Sequence, residues 1–429
     1  MKIKLSLIAL IAATFLEATS LKEAVAFGLK SDPAILAEIS RFEGKEVSVS
    51  VAKSGYYPTL DLGLGIGYEK TKRDNPHGAA PVDADETRKE ASARFRQPLF
   101  EGFKTSSSVD VSTADRDATL YALHTLAENK ALEIVKAYLG VIKAKRIITL
   151  AETNLETHNE ILDSIKQRYK QGVSDKADLI QIKGRVASAK SDLYAAKNNA
   201  LDAEALYLKV VGEAPTDLER LYADDVIVPE TLEASLEKAK KENPTILSAR
   251  KNVTLVKSQK KGSESNYYPH LYGDLSANYR DDADGIEGTQ ESYQAMLRME
   301  WNIFNGFKEK HQNEIAQKEV ITASQKVNDT ERQLVLETTL SWNAYILIQD
   351  QLKPLKEHVD YSREAKKLYH EQYNVGRRSL IDVLNSQVEV FNAAKTFVGA
   401  SSDEIAAKYR LLNSMGTLNE TLGINVYNK

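Results

Sequence analysis

The chain has no cysteine among its 429 residues. Disulfides, zinc–thiolate centres, thiol nucleophiles and a lipidated N-terminal cysteine are excluded together. Beyond the N-terminus it also lacks any unbroken apolar run of roughly 18 residues, the length a membrane helix needs. Its seven histidines (His77, His124, His158, His270, His311, His358 and His370) show no metal-ligand spacing. Neither a nucleophile elbow nor a phosphate-binding loop is present, so no catalytic residue, metal or cofactor is expected and the protein does not read as an enzyme. His358 and His370 fall on helical stretches and read as solvated faces. A net charge of −4 without a basic block argues against nucleic acid. Proline is missing from Pro98 to Pro215 and again after Pro354.

The N-terminus is the first positive signal. Lys2 and Lys4 precede the apolar run Leu5 to Leu16, and small residues follow at Ala18 and Ser20. This is the pattern of a secretory signal peptide over residues 1–20, cleaved near Ser20. The bland alternative, a membrane anchor, is too short to span. An exported chain without a membrane helix is either soluble or a β-barrel.

The second signal is a repeat across nearly the whole chain. Leu21 to Pro33 recurs as Leu232 to Pro244, and Tyr56–Tyr57–Pro58 as Tyr267–Tyr268–Pro269, both at an offset of 211. Phe100–Glu101–Gly102–Phe103 recurs as Phe304–Asn305–Gly306–Phe307 at an offset of 204. The offset is also 204 for Tyr169 and Tyr373, Gly172 and Gly376, and Asp178 and Asp382. The register therefore shifts once, between the Tyr-Tyr-Pro and Phe-x-Gly-Phe landmarks, where a loop should lie.

Between those landmarks each half carries two runs of period two, which reads as strand. Leu60, Leu62, Leu64, Ile66 and Tyr68 alternate with small and polar residues; a shorter run, Ala91, Ala93 and Phe95, faces Ser92, Arg94 and Arg96. The later half repeats this from Leu271 to Arg280 and from Tyr293 to Ile303. Runs of about ten residues suit tilted transmembrane strands. The joining stretches Lys70–Lys89 and Asp281–Glu291 read as polar loops. Aromatics gather at the strand ends, where an interfacial girdle belongs. A soluble sandwich is the alternative, but two isolated hairpins offer no second sheet to pack on.

The remainder reads as helix. From Gly102 to Gly172 is 70 residues, roughly 105 Å of helix at about 1.5 Å per residue. The expected order is a short helix, a hairpin at about 57–100, a long helix at about 104–171 and a return helix at about 174–211. A linker follows over 212–231. The second repeat, 232–415, has its hairpin at about 268–304, its long helix at about 308–375 and its return helix at about 379–415, before a tail over 416–429.

Four strands cannot close a barrel, since the smallest single-chain barrels have about eight and open edges in lipid stay unpaired. Copies of the chain must associate. A duplicated hairpin-plus-long-helix chain with the elbow Tyr373–Asn385 (YNVGRRSLIDVLN) and LNETLG from Leu418 resembles the TolC family of outer-membrane exit ducts. The resemblance implies an α+β membrane protein: an internally duplicated chain, with a coiled-coil helical tunnel in the periplasm and four strands completing a 12-stranded barrel in a homotrimer. It implies an outer-membrane, lipid-embedded duct for type I protein secretion or multidrug efflux, docked to a periplasmic adaptor and an inner-membrane ABC or RND transporter. The second reading is a non-transporting structural or adhesive coiled-coil protein of the envelope.

Carried over by position, Tyr373 and Arg378 form a latch at the periplasmic helix tips with Asp178 as partner carboxylate. Ala177, where relatives often have a hydroxyl, removes one expected link from Arg378. Asp382 falls where a threefold ring would favour cations, and the next ring position is Asn385 rather than an acid, which implies weaker cation selectivity. Gly172, Val173, Gly376 and Arg377 fall where adaptors touch. The plain alternatives are helix capping for Asp178 and Asp382, turn chemistry for the glycines and a solvated charge for Arg377.

Overall fold

The computed structural model describes residues 18–73 and 82–427. Residues 1–17 of the expected leader, the centre of the first hairpin connection and the last two residues of the tail lie outside them. The first half comprises α1 (Leu21–Ser31), α2 (Pro33–Ser54), β1 (Thr59–Arg73), β2 (Val82–Glu101), α3 (Lys104–Lys170) and α4 (Lys176–Val211). The second repeats the order with α5 (Leu232–Glu242), α6 (Pro244–Ser263), β3 (His270–Ala283), β4 (Ile286–Glu300), α7 (Lys308–Asn374) and α8 (Leu380–Met415). A one-turn helix, α9 (Leu418–Thr421), follows. The duplication is quantitative: α3 and α7 each have 67 residues, α4 and α8 each 36. Among the described residues no helix is long and apolar enough to cross a membrane.

The chain divides into two compact units, and α3 and α7 contribute residues to both. One, Ser40–Tyr121 with Ile246–Thr330, holds a single antiparallel sheet in the order β1-β2-β3-β4. Register explains its chemistry. Leu60 pairs with Phe95, Phe95 with Leu275, and Leu275 with Ala295; two residues on, Leu62, Ala93, Ala277 and Tyr293 line up the same way. The alternation therefore merges into one apolar face, and Leu64 on it is 89% exposed. The opposite face is polar, carrying rows such as Gly63, Ser92, Asn278 and Ser292. There Asp274 is buried between Arg96 and Arg298, each 3.2 Å away. Apolar residues from Leu60 to Tyr68 cover about 27 Å at about 3.3 Å per residue, close to the hydrocarbon thickness of a bilayer.

The strands outrun the sequence reading. β1 and β2 continue through most of the stretch assigned to a polar loop, as far as Arg73 and back from Val82. Cross-strand charge supports this part: Lys70 pairs with Asp85, Lys72 with Asp83, and Arg88 with Glu69. With charges on both faces, period two carries no apolar signal there. The second connection shrinks from the expected Asp281–Glu291 to a turn at Asp284–Gly285, both with positive φ. Conversely, β4 stops at Glu300, so Trp301 and Ile303 lie beyond it. In register the next pair would be Trp301 with Pro269, which has no N–H to give a ladder. Trp301 instead donates its indole N–H to the Tyr267 carbonyl at 3.3 Å.

The other unit, Met1–Ile39, Ala122–Thr245 and Glu331–Lys429, contains the helical elbows. α1 packs on α4, and α5 on α8. Thr19 and Ser20, which the sequence reading gives to the leader, are part of this fold. Thr19 N–H donates to the Asp217 carbonyl at 2.7 Å, and the Tyr138 hydroxyl lies 2.8 Å from the carbonyls of both Thr19 and Glu219. Ser20 caps α1 in a reciprocal box with Glu23. Glu128, buried in α3, accepts the N–H groups of Leu418 and Asn419 at 2.9 Å each and so anchors the LNETLG segment. Burial pushes its carboxyl up to about 7, against the pull of those two N–H bonds.

Candidate functional site

The two elbows share one backbone. Gly172 has φ +74° and Gly376 φ +73°, the left-handed region glycine enters without strain. Val173 N–H then returns to the Arg168 carbonyl at 2.9 Å, and Arg377 N–H to the Gln372 carbonyl at 2.9 Å, closing α3 and α7 identically. Gly172, Val173, Gly376 and Arg377 are all exposed.

The restarts differ. α4 is capped by Asp175, which accepts from Asp178 N–H at 2.8 Å, and the Asp178 carboxylate takes the Ser174 hydroxyl at 2.9 Å. α8 is capped by Ser379, whose hydroxyl donates to Asp382 at 2.8 Å and accepts its N–H at 3.3 Å. That bond holds the Asp382 carboxyl below its ordinary range, with Arg378 adding to the effect. The capping alternative for both aspartates is thus realised: each N–H is taken by the cap residue three positions before it.

The latch residues are only partly brought together. Arg378 lies 4.1 Å over the Tyr369 ring, donates to the Gln372 amide oxygen at 3.0 Å and reaches Asp382 at 3.7 Å. All three partners belong to its own hairpin, and among the described residues no Arg378–Asp178 pair forms within the chain. Tyr373 instead packs with Ile165, Ile182, Leu380 and Leu384, with the Arg168 guanidinium 5.0 Å over its ring. Burial raises the Tyr373 phenol and the Asp178 carboxylate adds to that, while Arg168 pulls it down. The basic partner of Tyr373 inside one chain is therefore Arg168, one turn before the first elbow glycine, a residue the sequence reading passed over.

Asn385 also has an unforeseen partner. Arg185 of α4 donates to its side-chain oxygen at 2.6 Å, bringing a fixed positive charge within a turn of Asp382 in sequence. Neither arginine has an arginine at its repeat-equivalent position, since Arg168 aligns with Gln372 and Arg185 with Glu389. Offset matching could not have found them. Further along, Gln387 donates to Asn154 at 3.0 Å, and His158 is buried beside them, its basicity lowered by burial and by Arg185 and Lys366.

This geometry can be set against known proteins. The family model described as outer membrane efflux protein matches residues 28–213 and 235–417, one block per repeat. The chain belongs to the outer membrane efflux protein family. Among relatives of this family, the outer membrane efflux protein BepC of Brucella suis is 24% identical over 384 residues, covering 89% of this chain and 82% of that one. The outer membrane protein TolC of Vibrio cholerae is 22% identical over 403 residues, covering 91% and 89%. The solved structure of CusC superposes with a TM-score of 0.81 at 13% identity, over 92% of this chain and 91% of that one. That likeness speaks for the fold: a helical tunnel with barrel strands. As a member of the outer membrane efflux family, the chain is an exit duct of the outer membrane, with its helices in the periplasm.

Proposed function

We propose that three copies of this chain close a twelve-stranded barrel in outer-membrane lipid, the apolar sheet face outward and the polar face lining a conduit. The observation that carries this is the four-stranded sheet with β1 and β4, 15 residues each, as its two edges. The strands alternate in direction, so β4 of one copy meets β1 of the next antiparallel, and an open edge in lipid is removed.

At the periplasmic end the elbows form the gate. Tyr373 ties α7 to α3 through Arg168, and Arg378 reaches Asp178 of the neighbouring copy. A charge-assisted contact of this kind is directional and can be displaced by a partner. Asp382 forms a carboxylate ring around the aperture. Asn385, bonded to Arg185, adds no second acidic ring, which lowers cation preference. Gly172, Val173, Gly376 and Arg377 present the edge on which a periplasmic adaptor docks, linking the duct to an inner-membrane ABC or RND transporter. The duct is passive and carries out no reaction of its own.

The test is single-channel recording in planar bilayers. The wild-type protein should conduct, and Tyr373→Phe with Arg378→Ser should raise conductance. Unchanged conductance in the double variant would refute the gate assignment. A detergent-purified protein that never conducts would favour the structural or adhesive reading instead.

A further inference from the structure

α7 carries a basic row that neither the gate nor the elbow turn uses. Arg363, Lys366, Lys367 and His370 fall at i, i+3, i+4 and i+7, one face of a helix. Duplication does not account for it, since at the offset of 204 the first half has Asn159, Leu162, Asp163 and Lys166. Compensation within the chain is slight. Among the described residues Arg363 has a carboxylate only at Asp360, 4.0 Å away on its own helix, and Lys366 and Lys367 have none within ion-pair distance. Lys366 is half-buried, and burial lowers its basicity while Glu160 opposes that.

The row is the rim of a cavity of about 590 Å³ between α3, α7 and α8, a volume within the roughly 300–1,000 Å³ of small-molecule sites. The floor is apolar: Leu150 from α3, and Val390, Phe391 and Ala394 from α8. A second chamber of about 290 Å³ shares Lys366, His370 and Gln387 with the first and extends to Tyr373 and Leu380. Lys366 therefore stands at the junction. So does Gln387, 4% exposed, which donates to Asn154 at 3.0 Å while its own amide oxygen has no partner. Acidic groups are fewer, with Glu371 on the first chamber and Glu160 on the second.

A half-buried ammonium without a counter-ion is costly. Set beside an apolar floor, it selects a ligand that has both a negative charge and an apolar body. We infer that this cavity binds a small amphipathic organic anion, its carboxylate or sulfonate on Lys366 and Arg363 and its apolar body on Leu150, Val390 and Phe391. Inorganic phosphate lacks the body, and a neutral apolar solute lacks the charge. A ligand held there bridges three helices and stabilises the folded chain by mass action. The site lies within one chain and is independent of the ring.

The probe is 2-naphthoate, with 2-naphthamide as its neutral counterpart and inorganic phosphate as the bare anion. Each is titrated calorimetrically into the detergent-purified full chain. 2-Naphthoate should bind saturably and raise the thermal midpoint. Lys366→Gln should weaken it about tenfold or more, the loss of one charge-assisted contact, and should bind the amide as the wild type does. Lys366 has no ion-pair partner to lose, so the variant should keep the wild-type thermal midpoint without ligand. Val390→Trp, which fills the floor and leaves the basic row intact, should abolish binding of the acid. No saturable binding to the wild type, or equal affinity in Lys366→Gln, overturns the site and leaves a solvated basic face. Phosphate that displaces 2-naphthoate at equal concentration overturns it as well, leaving a patch for any anion.

Discussion

α4 and α8 are the same helix twice, of equal length and at equal positions in the repeat, yet they live in different surroundings. α8 buries 17 of its residues and α4 only six. Leu384 and Ile180 are repeat-equivalent at the offset of 204, but Leu384 is fully buried and Ile180 is 56% exposed. Duplication has kept backbone geometry, elbow glycines and helix lengths while freeing side chains to diverge. α8 became the centre of the protomer's packing and α4 one of its flanks. The elbows repeat the lesson: the turns are identical and a serine hydroxyl reaches each aspartate, but Asp175 caps α4 where Ser379 caps α8, and Asp382 has Arg378 3.7 Å away.

The comparison breaks most sharply at Leu384. Leu384→Ala should cost about 2–5 kcal/mol, as large-to-small changes in packed sites do, and lower the thermal midpoint in detergent. Ile180→Ala should change protomer stability by about 0.5 kcal/mol or less, as an exposed site does. Equal losses would show that the two helices are equally buried.

Two buried ionisable groups sharpen it next. Glu128 has its carboxyl raised to about 7 from 4.5, so the stability it contributes is present below about pH 4.5 and lost as pH rises through about 7. The size is up to about 3 kcal/mol. His158 is depressed below 6.5, so its contribution is present above pH 6.5 and lost on acidification. Glu128→Gln should flatten the fall in thermal midpoint between pH 5 and 8, and His158→Gln should flatten the fall at lower pH. Identical pH profiles for wild type and both variants would refute the assignments.

The smallest effects lie at the caps. Asp175→Ala and Ser379→Ala should each cost about 1 kcal/mol through loss of an N-cap bond. Ser379→Ala also removes the hydroxyl that holds Asp382, so the carboxyl should titrate closer to its ordinary value, observable by NMR. Asp175→Ala should leave Asp382 unmoved.

Much of this was legible in the sequence because it is periodic. The repeat offsets gave both elbows, and period two gave four strands wherever one face is apolar. Period two stops where charge occupies both faces, so the part of the sheet that falls within Lys70–Lys89 reads as loop. It ran too far at Trp301, where the missing N–H of Pro269 ends the ladder. In the elbows, Tyr373, Asp382 and the glycines were visible from the repeat. Arg168 and Arg185 were not, because their partners lie about two hundred residues away and neither has a counterpart in the other half. Thr19 and Ser20 looked like leader because small polar residues suit a cleavage site as well as a cap.

The central claim is that one protomer holds a third of a barrel wall and is incomplete alone. Native mass measurement of the detergent-extracted protein tests it most directly. The account predicts a particle of three chains that loses solubility when detergent is removed. A stable single chain in plain buffer would contradict it.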